Sequence, residues 1–328
     1  MLMDSWGRQI TYLRVSVTDR CNLRCVYCMP PEGIQLQTHE DILHYEEIAS
    51  VVRVAAEHGV TEVRLTGGEP LARPNLPALV GMLSVIQGIR DISLTTNGLL
   101  LERYALPLAE AGLKRINVSL DTLRPERFAR ITRGGSFEKV WRGILAAEKA
   151  GLAPIKINVV AMRGVNDDEL LDLARLALDH PWQVRFIEVM PVRNEASWGE
   201  NLPNSEEAFL PITEIKERLA SLDLQHAPGK TGSGPAREYL IAGGRGRIGF
   251  ISPISDHFCG ECNRLRLTAD GHLRPCLLSD LEIPILPALR RGDPIFPLLQ
   301  QAVALKPESH ELIQNHRPLT RCMIQIGG

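Results

Sequence analysis

YLRVSVTDRCNLRCVYCMP, residues 12–30, decides how the rest of the chain is read. Its first part, Tyr12–Val17, is a short aliphatic run of the kind that makes a buried parallel strand. Its second part places Cys21, Cys25 and Cys28 in a C-x3-C-x2-C spacing among Asp19, Arg20, Asn22 and Arg24. Cysteines this close can aim their thiolates at one centre from a single loop, and soft thiolates select zinc, copper(I) or iron–sulfur clusters. Scattered cysteines are ordinarily buried apolar residues, but this polar setting at a strand end argues for a ligand set. The count is three, where structural zinc and electron-relay 4Fe–4S sites want four. A cluster held by three thiolates keeps one iron open to a small molecule.

Outward from this stretch, five more runs repeat the strand pattern: Glu62–Leu65, Asp91–Thr95, Arg115–Leu120, Ile155–Val160 and Val184–Val189. Helical patterns fill the gaps. Tyr45–His58, Leu76–Gln87, Leu101–Ala111 and Phe137–Ala150 each stop at a glycine (Gly59, Gly88, Gly112, Gly151), a residue that accepts the left-handed turn ending a helix. Asp167–Leu178 reads as a fifth helix with Asn166 as its N-cap. Strand–helix alternation at this pitch predicts an α/β chain with a parallel sheet. Periodicity leaves a curved partial barrel and a doubly wound sheet both open. After about residue 200 the pattern changes. Pro, Gly and charged residues thicken, with candidate strands at Arg247–Ile251 and Leu265–Thr268 and a last helix at Ile295–Ala304. The boundary is placed at residue 225.

Composition narrows the function classes. The chain of 328 residues has 37 Lys+Arg against 39 Asp+Glu, which argues against bulk binding to nucleic acid or an anionic membrane surface. Seven cysteines do not make a fully paired secreted framework, the N-terminus has no signal pattern, and no apolar stretch reaches membrane-span length. A soluble cytoplasmic protein in a reducing compartment is expected.

A second triplet, Cys259, Cys262 and Cys276, lies in CGECNRLRLTADGHLRPC, and it too has three ligands. Arg264 and Arg266 alternate directly after it, so on a strand they share one face, where a triphosphate would partner two guanidiniums. LTGGEP, residues 65–70, follows the second strand. Gly67 and Gly68 there would let backbone approach a ligand closely, and Glu69 offers charge. Thr95, Thr96, Asn97, Ser119, Asp121 and Met190 fall at the C-terminal ends of successive strands, the edge where parallel α/β folds bind ligands. GRGRIG, residues 244–249, fits a dinucleotide fingerprint but lies outside any βαβ unit and reads as a turn. Cys322 reads as a buried thiol.

The cysteine loop, with Tyr27 before its last Cys, and the Gly-Gly-Glu-Pro turn resemble the radical S-adenosyl-L-methionine enzymes. RLTGGEPLAR, LTTNG, INVSLDTL, KINVV, RFIEVMP, the second triplet and the terminal Gly327-Gly328 follow in order, and the series resembles the GTP-cyclising branch that opens molybdenum cofactor biosynthesis. The resemblance implies a partial (βα)6 TIM-type barrel over residues 1–225 and a smaller C-terminal region, 226–328, with a second cluster and the Gly-Gly tail. It implies two 4Fe–4S clusters, on Cys21, Cys25 and Cys28 and on Cys259, Cys262 and Cys276. Tyr27, Gly68, Ser119 and Met190 would contact S-adenosyl-L-methionine. Arg14, Arg64, Thr95, Lys156, Arg264, Leu265 and Arg266 would contact GTP, and Arg264, Arg266, Gly327 and Gly328 would serve catalysis. The implied partners are GTP, an electron donor and a downstream cyclic pyranopterin monophosphate synthase, with a homodimer allowed. The rivals are a radical enzyme acting on another substrate such as a peptide, and a non-catalytic iron–sulfur scaffold.

Overall fold

The computed structural model describes residues 1–192, 198–199, 202–229, 234–310, 312, 318 and 320–327. Gly328 lies outside the described residues.

Six βα repeats build the first part. Strands β1 (Tyr12–Ser16), β2 (Glu62–Thr66), β3 (Asp91–Thr96), β4 (Arg115–Ser119), β5 (Ile155–Ala161) and β6 (Gln183–Glu188) pair in parallel, each with the next. The helices between them are α1 (Tyr45–Glu57), α2 (Leu76–Ser84), α3 (Leu101–Glu110), α4 (Pro125–Thr132), α5 (Phe137–Lys149) and α6 (Leu170–Asp179). Helix α7 (Ile212–Arg218) follows, then β7 (Leu224–His226), β8 (Arg237–Ile241), β9 (Arg247–Ile251), β10 (Arg264–Leu267), β11 (His272–Arg274), β12 (Ile283–Pro284), α8 (Leu286–Arg291) and α9 (Phe296–Ala304).

The strands formed late in the chain join the same sheet at both its edges. The order is β12-β11-β10-β1-β2-β3-β4-β5-β6-β9-β8-β7. Strand β10 pairs in parallel with β1, and β9 with β6. Eight parallel strands therefore stand side by side, and a single cavity is lined from all of them, from Arg266 on β10 round to Ile251 on β9. The sheet curls as a barrel but does not close, since β9 and β10 are not paired with each other. The connection Ser252–Asn263 crosses that open seam, and it carries Cys259 and Cys262.

Strand alternation explains both the core and the cavity. Leu13, Val15, Val63, Leu65, Ile116, Val118, Ile157 and Val159 are buried in the core the helices cover. Positions of the opposite phase, Tyr12, Arg14, Arg64, Thr95, Ser119, Asn158 and Arg185, line the cavity. The helices supply matching faces. On α1, Ile48, Val51, Val52 and Ala55 are buried at helical spacing, and Glu47 accepts the N–H of His44 at 2.7 Å to cap the first turn. Each such aliphatic side chain contributes roughly 1.5–3 kcal/mol on burial.

The glycines read as helix stops, Gly59, Gly88, Gly112 and Gly151, all have positive φ. Asn166 is not the cap expected of it. Helix α6 begins later, with Glu169 at the N-cap. Asn166 is fully buried, accepts from Met162 N at 2.8 Å and donates to Asp121 O and Val160 O, tying the ends of β4 and β5 together. The GRGRIG segment is a turn entering β9, in keeping with its sequence.

Candidate active site

The first cysteine loop leaves β1 and folds against the turn after β2. Gly68 N donates to Thr18 O at 2.7 Å and Glu69 N to Arg20 O at 2.8 Å. A Cβ on Gly67 would stand 2.6 Å from Thr18 O, and one on Gly68 would overlap the Arg20 carbonyl. The double glycine is thus required by the close approach of two backbones. Glu69 does not face a ligand. It is completely buried, and its carboxylate accepts from Leu71 N, Thr96 Oγ1 and Asn97 N at 3.0, 2.7 and 2.7 Å. Burial pushes its pKa up to about 7, against these three donors. Its carboxylate holds the end of β3 to the turn. Asn97 passes the tie on, donating to Asn22 Oδ1 at 2.7 Å and leaning on the Cys21 sulfur at 3.8 Å.

Cys21, Cys25 and Cys28 line the cavity and stand close enough that Cys28 and Cys21 raise the Cys25 pKa, after burial itself. Among the described residues, no three His, Cys, Asp or Glu side chains converge on a single metal ion. Three neighbouring thiols on one loop are soft donors of the kind that hold an iron–sulfur cluster. Arg133 pins this loop from behind, donating to Arg24 O and Met29 O at 2.9 Å each. Tyr27 OH donates to Asp121 at 2.8 Å. Burial lifts Asp121 to about 6 and Tyr27 well above its ordinary value.

The same cavity holds a row of cations. Cross-strand register places Arg266, Arg14 and Arg64 side by side on β10, β1 and β2. Arg264 and Arg185 line the same cavity, of about 260 Å³. Burial, then neighbouring guanidiniums, depress these groups: Arg14 far below its usual value, Arg64 less, Arg266 to about 10, and Arg185 to about 9. Lys156 is buried behind the lining and is held down to about 6 by burial, then by Arg185, Arg115 and Arg64. Among the described residues, the buried polar atoms Tyr12 OH, Thr95 Oγ1, Asn158 Oδ1 and Arg264 Nε at this wall have no hydrogen-bond partner. Such atoms call for a ligand. Leu265 points the other way, into the core, so only its backbone is left to a ligand.

The second triplet stands behind the wall, with Phe258, Arg264 and Leu277 from its flanks lining the cavity. Cys276 and Cys262 both raise the Cys259 pKa, after burial itself, so the three thiols lie within electrostatic reach of one another. Burial works against ionising Cys262, but Arg264 and Lys306 pull its pKa below the ordinary thiol value. Lys306 is buried and donates to Arg264 O at 2.9 Å and Pro275 O at 2.7 Å, drawing the two halves of the triplet together. Arg8, paired with Asp4 at 2.6 Å, donates to Cys259 O at 2.7 Å. The donor set fits a three-thiolate cluster as the first one does.

The C-terminal tail threads between the triplets. Ile324 packs with Met29 and Cys322 beside Cys21 and Cys28, while Ile326 packs with Val192 and Leu278 beside Cys276 and Met190. Gly327 O accepts from Arg14 Nη2 at 3.0 Å and Arg266 Nη1 at 2.9 Å. Cys322 therefore belongs to the surroundings of the first triplet, not the second.

Of the residues the sequence nominated, the cavity unites Cys21, Cys25, Cys28, Tyr27, Gly68, Ser119, Met190, Arg14, Arg64, Thr95, Arg264 and Arg266. Sequence reasoning missed Arg185, Asn158 and Tyr12 of the lining, and Arg8, Arg133 and Lys306 behind it. The first three were detectable as polar residues in strand phase with Arg14. The last three form contacts distant in sequence that no local pattern signals.

Two family models match the chain: the radical SAM superfamily over residues 15–177 and Molybdenum Cofactor Synthesis C over residues 182–312. Proteins named GTP 3′,8-cyclase from Moorella thermoacetica and Heliobacterium modesticaldum are 52% and 50% identical to it, over 100% of both chains in each case. The chain belongs to the GTP 3′,8-cyclase family. Solved structures agree at the level of fold. Streptococcus suis SuiB superposes with a TM-score of 0.61 at 13% identity, covering 95% of this chain and 76% of that one. For anSMEcpe with bound AdoMet the values are 0.59 and 16%, covering 93% and 80%. The GTP 3′,8-cyclase resemblance thus runs the full length of the chain. Among the described residues no helix is long and apolar enough to cross a membrane.

Proposed function

We infer that the chain cyclises GTP to (8S)-3′,8-cyclo-7,8-dihydroguanosine 5′-triphosphate, the first step of molybdenum cofactor biosynthesis, as a radical S-adenosyl-L-methionine lyase. One observation carries the reading. The cation row Arg266-Arg14-Arg64 and the first cysteine loop line one cavity. Cys21, Cys25 and Cys28 would hold the first 4Fe–4S cluster, and Cys259, Cys262 and Cys276 the second. Bound there, the first cluster and S-adenosyl-L-methionine would supply one-electron radical chemistry directed at ribose C3′.

The residues of the chain do the rest by orientation. Gly67 and Gly68 let the turn close on the cysteine loop, with Tyr27, Ser119 and Met190 completing the cofactor wall. Arg14, Arg64, Arg264 and Arg266, with Lys156 behind them and Thr95 beside them, neutralise and fix the triphosphate. Charge-assisted bonds from guanidinium to phosphate are the strong kind, and Arg14, Arg64 and Arg266 are already desolvated by burial. Cys259, Cys262 and Cys276 would hold the second cluster beside the same wall, where it would serve to bind and orient the guanine base. The terminal pair Gly327-Gly328 would serve catalysis from the tail, at the cation row. We assign residues 1–225 to the cofactor and 226–328 to the base, tail and second cluster. A cytoplasmic location, an external electron donor, a homodimer and delivery of product to cyclic pyranopterin monophosphate synthase complete the proposal.

The test is anaerobic turnover of the reconstituted protein with dithionite, S-adenosyl-L-methionine and GTP deuterated at C3′. Deuterium in 5′-deoxyadenosine together with a cyclised nucleotide is the expected result. Deoxyadenosine free of deuterium would overturn the abstraction site, and none at all from protein with verified clusters would overturn the radical mechanism.

A further inference from the structure

Gly327 brings the tail to the cation row, but nothing in the reaction explains what delivers it there. Six residues before Gly327, Arg321 makes a fork onto the far side of the β10–β11 hairpin. Its two terminal nitrogens donate to the Asp270 carboxylate at 3.0 and 2.9 Å. The same side chain meets Glu282 through Nη2 at 2.8 Å and Nε at 2.7 Å. Asp270 is itself held by Thr268 Oγ1 at 2.5 Å, and Glu282 is paired to the fully buried Arg274. Thr320 adds a hydroxyl bond to Asp280 at 2.5 Å. The fork is only 13% exposed, so it is shielded from the screening that weakens surface pairs.

The hairpin that receives Arg321 also carries Arg264 and Arg266 on β10, and Cys276 follows β11. The anchor, Arg264, Arg266 and Cys276 thus lie on one hairpin and its flanks. From Arg321 the chain can reach about 20 Å at most, and over that reach Ile324 and Ile326 dock beside the two triplets in turn. We propose that Arg321 is the positioning residue of the tail: by clamping Asp270 and Glu282 it fixes where the tail enters, so that Gly327 meets Arg14 and Arg266. This deepens the functional reading above and rests on it for its activity arm. A lysine at 321 would keep the charge but lose the planar fork, and could not engage both carboxylates in the same way.

Arg321→Gln and Arg321→Lys in the full-length, cluster-loaded protein test the idea, with two readouts. Hydrogen exchange of the C-terminal peptide should lose protection in both variants, more in Gln than in Lys, while the β1–β6 peptides stay protected. Cyclised product per 5′-deoxyadenosine should fall roughly tenfold, an effect of about 1.4 kcal/mol, through kcat rather than KM. Wild-type protection of the tail in Arg321→Gln would overturn the anchor. Lost protection with unchanged product yield would overturn its role in the reaction. If Arg321→Gln does not fold, Thr320→Val and Arg321→Lys give the same two readings from milder changes. The exchange arm uses no nucleotide, so failure of GTP turnover in the wild type would count against the functional reading and leave the anchor to be judged separately.

Discussion

Gly327 shows how one residue can be required for reasons no side chain supplies. It sits at φ 66, and a Cβ there would stand 2.9 Å from Thr66 Cγ2 and 3.3 Å from Ser16 Cβ. Gly327→Ala should fold normally, because a strained tail can simply leave, and should lose at least tenfold in cyclisation while still cleaving S-adenosyl-L-methionine. Equal product from the two proteins would remove the tail from the site. Lys156 gives a pH prediction. Its folded pKa, about 6, lies below the ordinary lysine value. The unfolded chain therefore binds the extra proton between about pH 6 and 10, and native stability rises with pH across that window. Arg185, Arg115 and Arg64 enforce this and Glu238 opposes it. Lys156→Met should stabilise the ligand-free protein at pH 7 by roughly 1–3 kcal/mol, since a tenfold weakening of proton binding on folding costs about 1.36 kcal/mol. It should also flatten that slope and weaken GTP binding. Urea titrations at pH 6 and pH 9 would check it. Arg264 and Arg266 were legible in sequence because motif and strand phase both pointed at them, and Arg14 because the family resemblance did. Arg185 has the same phase but no motif, and Arg8 and Lys306 act across more than 250 and 40 residues of chain respectively.

Elements are legible in the chain according to how local their signals are. The six early strands appear within a residue or so of their expected ends, because each is an aliphatic run bounded by turn residues. Helix α4 carries no clear signal: at Pro125–Thr132 it is short and half polar, and only Phe128, Ile131 and Thr132 are buried. Asn166 misleads because a polar residue before a helix looks like a cap, whereas its partners lie on two strand ends. The Gly-Gly turn makes a prediction at this scale. Gly68→Ala would drive Cβ into the Arg20 carbonyl, and neither backbone can yield without moving Cys21. The variant should lose more than about 2 kcal/mol, in line with overpacking penalties, and about half its iron or more after reconstitution, read by iron and sulfide analysis. The two cysteine loops should separate in function. Cys25→Ala is expected to abolish 5′-deoxyadenosine formation, and Cys262→Ala to retain part of it while losing cyclisation. Normal cyclisation by Cys262→Ala would exclude the second triplet from the reaction.

At the scale of the whole molecule, the chain has nearly balanced charge, yet it concentrates cations in its interior. The open seam between β9 and β10, bridged by the second cysteine loop, lets a barrel of eight parallel strands keep a polar lumen instead of the packed aliphatic layers a closed barrel would need. That arrangement has a cost. Arg14, Arg64, Arg185 and Arg266 all lie below their ordinary pKa through burial and mutual repulsion. Inorganic tripolyphosphate, which brings the charge without the nucleoside, should therefore raise the melting temperature, by about 2.7 kcal/mol of stability at a hundredfold excess over Kd. Arg266→Ala should lose most of that gain, and an unchanged melting curve in the wild type would show that the row does not receive a polyanion. The same repulsion reaches into how long the protein lasts. Proteases cut the transiently opened chain, so survival follows the free energy of opening. A fold whose buried cations repel one another opens more readily than the same fold with a polyanion bound among them. Its half-life in a protease challenge should lengthen with each increment of nucleotide supplied, making the abundance of the enzyme a readout of its own substrate.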